Sequence, residues 1–418
     1  MEKKLSNDSR VAWIDVARGL AVFIVVFGHT YISKDTFRLV YSFHMPLFFI
    51  ISGLTVNRDK LLSIPIKEYV KKIAKRLLVP YFWIQFVSFP LWFFTYVVNS
   101  YSSSAADSDF FQNFIGVFFS NTAFYGFPSR ASWFFTTMFL VLVGYRIILQ
   151  IAKKNEFREL VLILFCLVIS YTEEKIHLPW HFNVAFSGIV FVYIGTCLIR
   201  LMNKYPLKYT KNNGKEFAKR LIVIAVLTAA AVVLQRNNGR VSMAANNFGK
   251  SVFAYYFVAI MFSEVFLIIV KALPEIKIFS YVGKNTLFIV GTHKLIMQTI
   301  ALFCPIKVSS DFYQFILSII LYFALIPLIA IVNRFAPYIA GNAYKVGILQ
   351  EISKYFVTTL ALVIPVYYAW NLIGGYFNYY YTVVPVVLIT IALSVLVVAI
   401  GNRFFPFIFG MKNKKGRC

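Results

Sequence analysis

Apolar residues run through this chain in long, nearly unbroken stretches, without the alternation of a half-buried strand or the three-to-four-residue stripe of a soluble helix. Twelve such stretches fall near 11–31, 39–57, 77–99, 132–151, 158–172, 183–199, 220–235, 251–271, 285–304, 311–333, 355–372 and 381–402. A helix needs about 20 apolar residues to cross a hydrocarbon core about 30 Å thick. In lipid only helices and closed barrels satisfy their own backbone polar groups, and the ten-residue alternating segments of a barrel are missing. The pattern predicts an all-α, polytopic integral membrane protein.

Composition agrees with the pattern. The 418 residues are 59% hydrophobic and 18% aromatic, with mean hydropathy +0.71. A formal net charge of +25 would suit a nucleic-acid binder, but position decides the partner. Most Lys and Arg residues lie on alternate connections: Lys3, Lys4 and Arg10, the block Arg58 to Arg76, Lys153 to Arg158, Arg200 to Arg220, Lys271 to Lys284, and Lys412 to Arg417. The positive-inside rule makes that side cytoplasmic, with both termini on it. Anionic membrane lipid then accounts for the charge, and no nucleic-acid partner is expected. The reading is a multi-pass protein of a bacterial plasma membrane. The first stretch carries charges and no small-residue cleavage site, so it reads as a retained helix and not a signal peptide.

The polar exceptions inside the apolar stretches are the candidates for chemistry. Asp15, Arg18 and His29 share the first one. Three and eleven residues are close to one and three helical turns, so the three side chains fall on one stripe, Arg18 and His29 about 16 Å apart along the axis. Each ionisable group there costs about 2.5 kcal/mol or more on insertion scales, which marks it as functional by default. An Asp–Arg pair that merely lets the helix insert is the competing account. His29 follows Gly28, which allows close approach, and a neutral imidazole is a general base for hydroxyl chemistry.

In the second stretch, Ser42, His44 and Ser52 offer hydrogen-bonding groups around Pro46, a kink that could line a cavity. Ser52-Gly53 is equally explained as a close helix contact. Before the third stretch, a basic loop carries Lys67, Lys71, Lys72, Lys75 and Arg76 and is ended by Pro80. Lys72 and Arg76 are one turn apart and could grip one anionic ligand; an interfacial anchor explains them as well. No phosphate-cradling loop or dinucleotide fingerprint is present, and the cysteines Cys166, Cys197, Cys304 and Cys418 make no metal or redox motif. No metal site is expected.

Two connections stand out. The Asn99 to Ser132 segment is Ser-rich, with Asp107, Asp109 and an aromatic patch from Phe110 to Phe119 that suits an interfacial amphipathic helix. The Leu201 to Lys219 segment reads as a basic cytosolic connector. Near the C-terminus, Asn333-Arg334-Phe335-Ala336-Pro337 with Gly341 recurs as Asn402-Arg403-Phe404-Phe405-Pro406 with Gly410, each copy closing an apolar stretch.

The run Trp13 to Leu20 leading to Gly28-His29-Thr30, followed by Phe43-His44-Met45-Pro46 and Phe48-Phe49-Ile50-Ile51-Ser52-Gly53, resembles the opening of the membrane-bound acyltransferase-3 family. The likeness is closest to its sugar O-acetyltransferase branch, in the manner of a fucose 4-O-acetylase. Ser132-Trp133-Phe134-Phe135 resembles the family's Trp-Phe-Leu segment, and Gly283-Lys284-Asn285-Thr286-Leu287 with His293 resembles its late Gly-Lys-Asn-Ser-Leu and His segment. Arg18 and His29 match the Arg-x10-His motif; the cytosolic Arg-x-x-x-Arg element is met only as Lys72-x-x-x-Arg76.

The resemblance implies a ten-helix acyltransferase core over 1–341, with 342–418 as an appended pair of transmembrane helices and a basic tail. No extracytoplasmic hydrolase domain is expected to be fused to it. The resemblance further implies an integral-membrane O-acetyltransferase that takes acetyl-CoA as acyl donor from the cytosol. Its acceptor would be a sugar hydroxyl of a cell-surface polysaccharide, capsule or exopolysaccharide, or of a lipid-linked precursor. His29 would be the base or acyl carrier and Arg18, held by Asp15, would stabilise developing charge. Lys72, Lys75 and Arg76 would bind the cofactor nucleotide, while His44, Ser42, Ser52, Trp133, Asn285 and His293 would line the substrate cavity. A twelve-span transporter or flippase for lipid-linked sugar is the alternative; the clustering of ionisable groups in the first two stretches weighs against it.

Overall fold

The computed structural model describes residues 2–100, 105–121, 125–172, 178–204, 214–303, 310–342, 348–374 and 379–409. Seventeen α-helices follow one another among them. These are α1 (Glu2–Gly28), α2 (Lys34–Tyr41), α3 (His44–Leu54), α4 (Arg58–Ser63), α5 (Ile66–Trp92), α6 (Ala105–Ser108), α7 (Phe110–Phe119), α8 (Trp133–Ala152) and α9 (Glu156–Thr172). The chain continues with α10 (Phe182–Lys204), α11 (Gly214–Asn238), α12 (Val252–Ala272), α13 (Lys277–Lys284), α14 (Thr286–Ile300), α15 (Asp311–Phe335), α16 (Ile348–Gly374) and α17 (Tyr379–Phe404). Among the described residues there is no strand, only an isolated bridge between Ser242 and Asn247, and nine helical segments are long and apolar enough to cross a membrane. Each of the twelve apolar stretches is mainly helical, the second divided between α2 and α3, and those on α1, α9 and α14 are not among the nine. The protein is an all-α, polytopic membrane protein.

Two local features depart from the sequence reading and a third agrees with it. The second stretch breaks at Ser42 and Phe43, where φ −141° at Phe43 ends one helix and begins the next. The break precedes Pro46 because a proline ring collides with the carbonyl four residues earlier, which is that of Ser42. The basic segment before the third stretch is helix, not loop. Helix α5 starts at Ile66 and continues through Pro80 and Pro90 into a π-helical turn, Phe93–Val98. The aromatic patch does form a helix, α7, capped by Asp109 through Gln112 N at 2.8 Å. It is amphipathic: Phe110, Asn113 and Val117 are buried while Phe111, Ile115 and Phe118 are exposed. Of the connector between Leu201 and Lys219, residues 205–213 lie outside the described residues and the two ends belong to α10 and α11.

The chain forms two compact units. The first comprises Met1–Tyr69, Leu140–Thr286 and Lys307–Tyr322. In it, α1 packs along α13 and α3, α10 packs against α3 and α9, and α11 pairs with α12. Small residues make these contacts close, as membrane helices require: a Cβ at Gly283 would collide with the carbonyl of Asp15, and one at Gly53 with the carbonyl of Val192. Phe23 meets Phe315 and Tyr322 edge-on, both at 5.6 Å.

The second unit comprises Val70–Phe139, Leu287–Ile306 and Phe323–Cys418. Here α16 and α17 form an antiparallel pair, and the segment around α6 and α7 docks on α5. Trp92 Nε1 donates to the Asp107 carbonyl at 2.9 Å, and the Tyr81 hydroxyl donates to the Val117 carbonyl at 2.6 Å. The repeated Asn-Arg-Phe-x-Pro motif has a structural counterpart, since each copy ends a helix and opens a 3-10 turn, Pro337–Ala340 and Pro406–Phe409. Trp83 receives both turns, with ring centroids 5.2 Å from Tyr338 and 5.6 Å from Phe409.

Candidate functional site

In the first unit, α1 carries Asp15 on its buried side, and Arg18 Nη1 donates to Asp15 Oδ1 at 3.0 Å. The Asp15 side chain is 6% exposed and that of Arg18 23%. The carboxylate is desolvated and needs its partner, whereas the guanidinium retains an accessible edge. Asn285 lies two residues beyond the Gly283 that abuts Asp15; its Nδ2 donates to the Tyr281 carbonyl at 2.8 Å.

His29 is the first residue past α1. The helix tightens there, His29 N donating to the Val26 carbonyl at 3.1 Å. The imidazole Nδ1 lies 2.8 Å from the Val25 carbonyl. A carbonyl only accepts, so in the neutral ring Nδ1 carries the proton and Nε2 the basic lone pair. His44 repeats the arrangement with the Val40 carbonyl at 2.9 Å, and in the second unit His293 does so with the Ile289 carbonyl at 2.8 Å.

Tyr41 joins the two first-unit histidines. Its ring centroid is 6.0 Å from that of His29 and 4.7 Å from that of His44, and Phe37 stacks on it at 3.8 Å. Gly28 makes the approach possible, since a Cβ there would come within 2.9 Å of Val40. Arg240, in the turn after α11, lies over Phe37 with its guanidinium 5.1 Å from the ring centre. The start of α2 is tied down by Asp311, which accepts from the Ser33 hydroxyl at 2.7 Å and the Thr36 hydroxyl at 2.5 Å. Tyr41 and Arg240 escape the sequence reading because the contacts Tyr41–His29 and Arg240–Phe37 join different helices or turns. Only the nearness of Tyr41 to Ser42 and His44 hinted at it.

Ser42 and Ser52 are satisfied within their own helical turns. The hydroxyls donate to the carbonyls of Leu39 at 2.6 Å and Phe48 at 2.9 Å, a local bond common for serine in apolar helices. Ser52 precedes Gly53 at the close contact with α10, so packing accounts for that pair.

The remaining predicted residues belong to the second unit. Lys72 and Arg76 are exposed one turn apart on α5, while Lys75 is half-buried with Nζ 5.3 Å above the Phe407 ring. Trp133 opens α8 and its carbonyl accepts from the hydroxyls of Thr136 and Thr137 at 2.9 and 3.1 Å. Beside it lies a buried polar network that the sequence reading missed. Gln85 Nε2 donates to Ser132 Oγ at 2.5 Å, Ser129 N donates to Gln85 Oε1 at 2.9 Å, and the Ser129 hydroxyl donates to the Gly291 carbonyl, two residues before His293.

A second missed network braces the first unit. Arg58 pairs with Glu159 at 2.9 Å, and the Tyr145 hydroxyl donates to the same carboxylate at 2.8 Å. Arg146 Nε donates to the Leu61 carbonyl at 2.9 Å. These arginines therefore hold the α4 connection in place. Among the described residues, no group of three or more His, Cys, Asp or Glu is placed to hold a metal ion.

Comparison with known proteins finds one family. The family model described as an acyltransferase domain, of the acyltransferase-3 type, matches residues 11–333. Neither the curated proteins nor the solved structures give a match. The matched segment contains Asp15, Arg18, His29, Tyr41 and His44 as well as Lys72 and Arg76, and it covers most of the chain. The chain belongs to the acyltransferase-3 family.

Proposed function

We propose that this membrane acyltransferase moves an acetyl group from acetyl-CoA to a sugar hydroxyl of a cell-surface glycan or its lipid-linked precursor. The observation that carries the reading is the fixed tautomer of His29. With Nδ1–H held by the Val25 carbonyl at 2.8 Å, Nε2 is the ring nitrogen that carries the basic lone pair general-base catalysis uses.

The donor supplies an activated thioester carbonyl. His29 Nε2 removes the proton of the acceptor hydroxyl as its oxygen bonds to that carbonyl carbon. The carbon–sulfur bond breaks, and the proton on the imidazole passes to the departing sulfur. Arg18, anchored by Asp15 at 3.0 Å, provides positive charge in a setting of low dielectric, where it counts for more than in water. Tyr41 positions the His29 ring. Lys72 and Arg76, exposed and one turn apart, offer the donor phosphates two cations; a lysine at the first place gives a point charge where an arginine would give a two-toothed grip. The basic connections favour a bacterial plasma membrane with both termini in the cytoplasm.

The test is direct. Purified protein with labelled acetyl-CoA and total cell glycans should yield alkali-labile acetyl esters, and His29→Ala should reduce that label by about 10²-fold or more at unchanged protein level. Full O-acetylation by His29→Ala would remove His29 from the reaction. Glycan movement across proteoliposomes with no consumption of acyl donor would favour a transporter instead.

A further inference from the structure

The second unit contains an apolar cavity of about 640 Å³ that only part of the family match accounts for. One wall is α5. The other is formed by α16, α17 and the Pro406–Phe409 turn, all beyond residue 333, where the match ends. Along α5 the lining residues Lys71, Lys75, Leu78, Phe82 and Phe86 recur every three to four positions, the spacing of one helix face. Trp83 Nε1 donates to the Ile408 carbonyl at 2.8 Å and ties the turn to that wall.

Three observations describe what fits. First, the cavity is cationic at one end and apolar along the rest. Lys71 and Lys75 are its charged lining residues and no carboxylate lines it. Neither lysine forms an ion pair among the described residues. Second, Thr358 lines the cavity at 2% exposure, and its hydroxyl has no hydrogen-bond partner among the described residues. A buried hydroxyl without a partner is destabilising, and a ligand acceptor would relieve that cost. Third, α5 rises about 16 Å from Lys75 to Phe86 at 1.5 Å per residue, about half of a hydrocarbon core about 30 Å thick, which is the depth of one leaflet.

We propose that this cavity binds an anionic phospholipid. Its phosphate lies on Lys71 and Lys75, an ester carbonyl accepts from the Thr358 hydroxyl, and one acyl chain runs down the α5 face to Phe86. An acyl-CoA is the poorer fit, because the lining offers almost nothing to an adenine, a ribose or the amides of a pantetheine arm. A polyprenyl phosphate would need a path longer than one leaflet. The lining includes neither His29 nor Arg18, and the proposal does not depend on the acetyl-transfer reading.

The experiment compares the thermal unfolding midpoint of the full-length protein in neutral detergent with added phosphatidylglycerol or phosphatidylcholine of identical chains. Phosphatidylglycerol should raise the midpoint by about 4 °C more than phosphatidylcholine. Lys71→Gln with Lys75→Gln should abolish that difference, Thr358→Val should reduce it, and Ala361→Trp, which fills the cavity, should remove protection by both lipids. Phosphatidylglycerol counted by native mass spectrometry should fall in parallel, a readout that stands even where Ala361→Trp folds poorly. Equal protection by the two lipids, a difference that survives in the double lysine variant, or stronger protection by palmitoyl-CoA or a polyprenyl phosphate would overturn the proposal.

Discussion

The Tyr41 ring packs with its centroid 4.7 Å from that of His44. The same ring lies 6.0 Å from that of His29, so one aromatic side chain contacts two imidazoles. Replacing it with alanine opens space beside His29. A displacement of about 1 Å at a reacting group can cost about 10²-fold. Tyr41→Ala is expected to lower kcat by about 10- to 100-fold with little change in donor KM, and Tyr41→Phe, which keeps the ring, to remain within about threefold of the parent; steady-state kinetics of the two variants checks this.

Asp15 and Arg18 form a pair in which one partner is buried. Removing a single partner of a buried pair typically costs about 3–5 kcal/mol, because the other charge is left uncompensated. Asp15→Ala should therefore lower the thermal midpoint clearly, while Asp15→Asn, which keeps an acceptor for the guanidinium, should lower it less. A double-mutant cycle with Arg18→Gln measures the coupling directly.

Glu159 makes a parallel case away from the histidines. Its carboxylate binds Arg58 at 2.9 Å and the Tyr145 hydroxyl at 2.8 Å, and its side chain is 2% exposed. Glu159→Ala is expected to destabilise the fold, visible as loss of folded protein in detergent, although Arg58 keeps a second carboxylate, Glu156, at 3.7 Å. The effect should shrink when Arg58 is removed as well.

Close helix contacts supply a further test. A side chain at Gly53 would run into the carbonyl of Val192, and one at Gly195 into that of Ile50. Gly53→Val and Gly195→Val should each cost at least about 1–3 kcal/mol through overpacking, and fluorescence-detected chromatography should show reduced folded yield for both.

The exposed cations on α5 can be separated by kinetics. On the proposed acetyl-CoA reading, Lys72→Glu with Arg76→Glu would set like charge against the donor phosphates, and the KM for acetyl-CoA should rise about tenfold or more while kcat changes little. A fall in kcat with unchanged KM would assign the two residues to the acyl-transfer step instead.

Much of this was readable from one dimension because lipid permits so little. An apolar stretch of about 20 residues must become helical there, and all twelve stretches are mainly helix, the second broken at Ser42 and Phe43. The charges at Asp15, Arg18 and His29 were conspicuous for the same reason. Their spacing also foretold the Asp15–Arg18 contact, one turn apart on a single helix. The repeated Asn-Arg-Phe-x-Pro motif likewise announced two helix ends, since proline stops what arginine anchors.

What periodicity could not convey is which helix meets which. Tyr41 reaches His29 because the chain folds back after Gly28. Gln85, Ser129 and Gly291 share one network across three separate segments. Lys75 turns toward Phe407 and the apolar cavity while Lys72 and Arg76 remain exposed, although the three are neighbours in sequence. Hydrophobicity alone placed the helices in the membrane, because lipid rewards apolar surface wherever it lies along the chain. Tertiary packing decided the rest: in lipid all apolar faces are nearly equivalent, and only close contact, hydrogen bonds and paired charges choose among them.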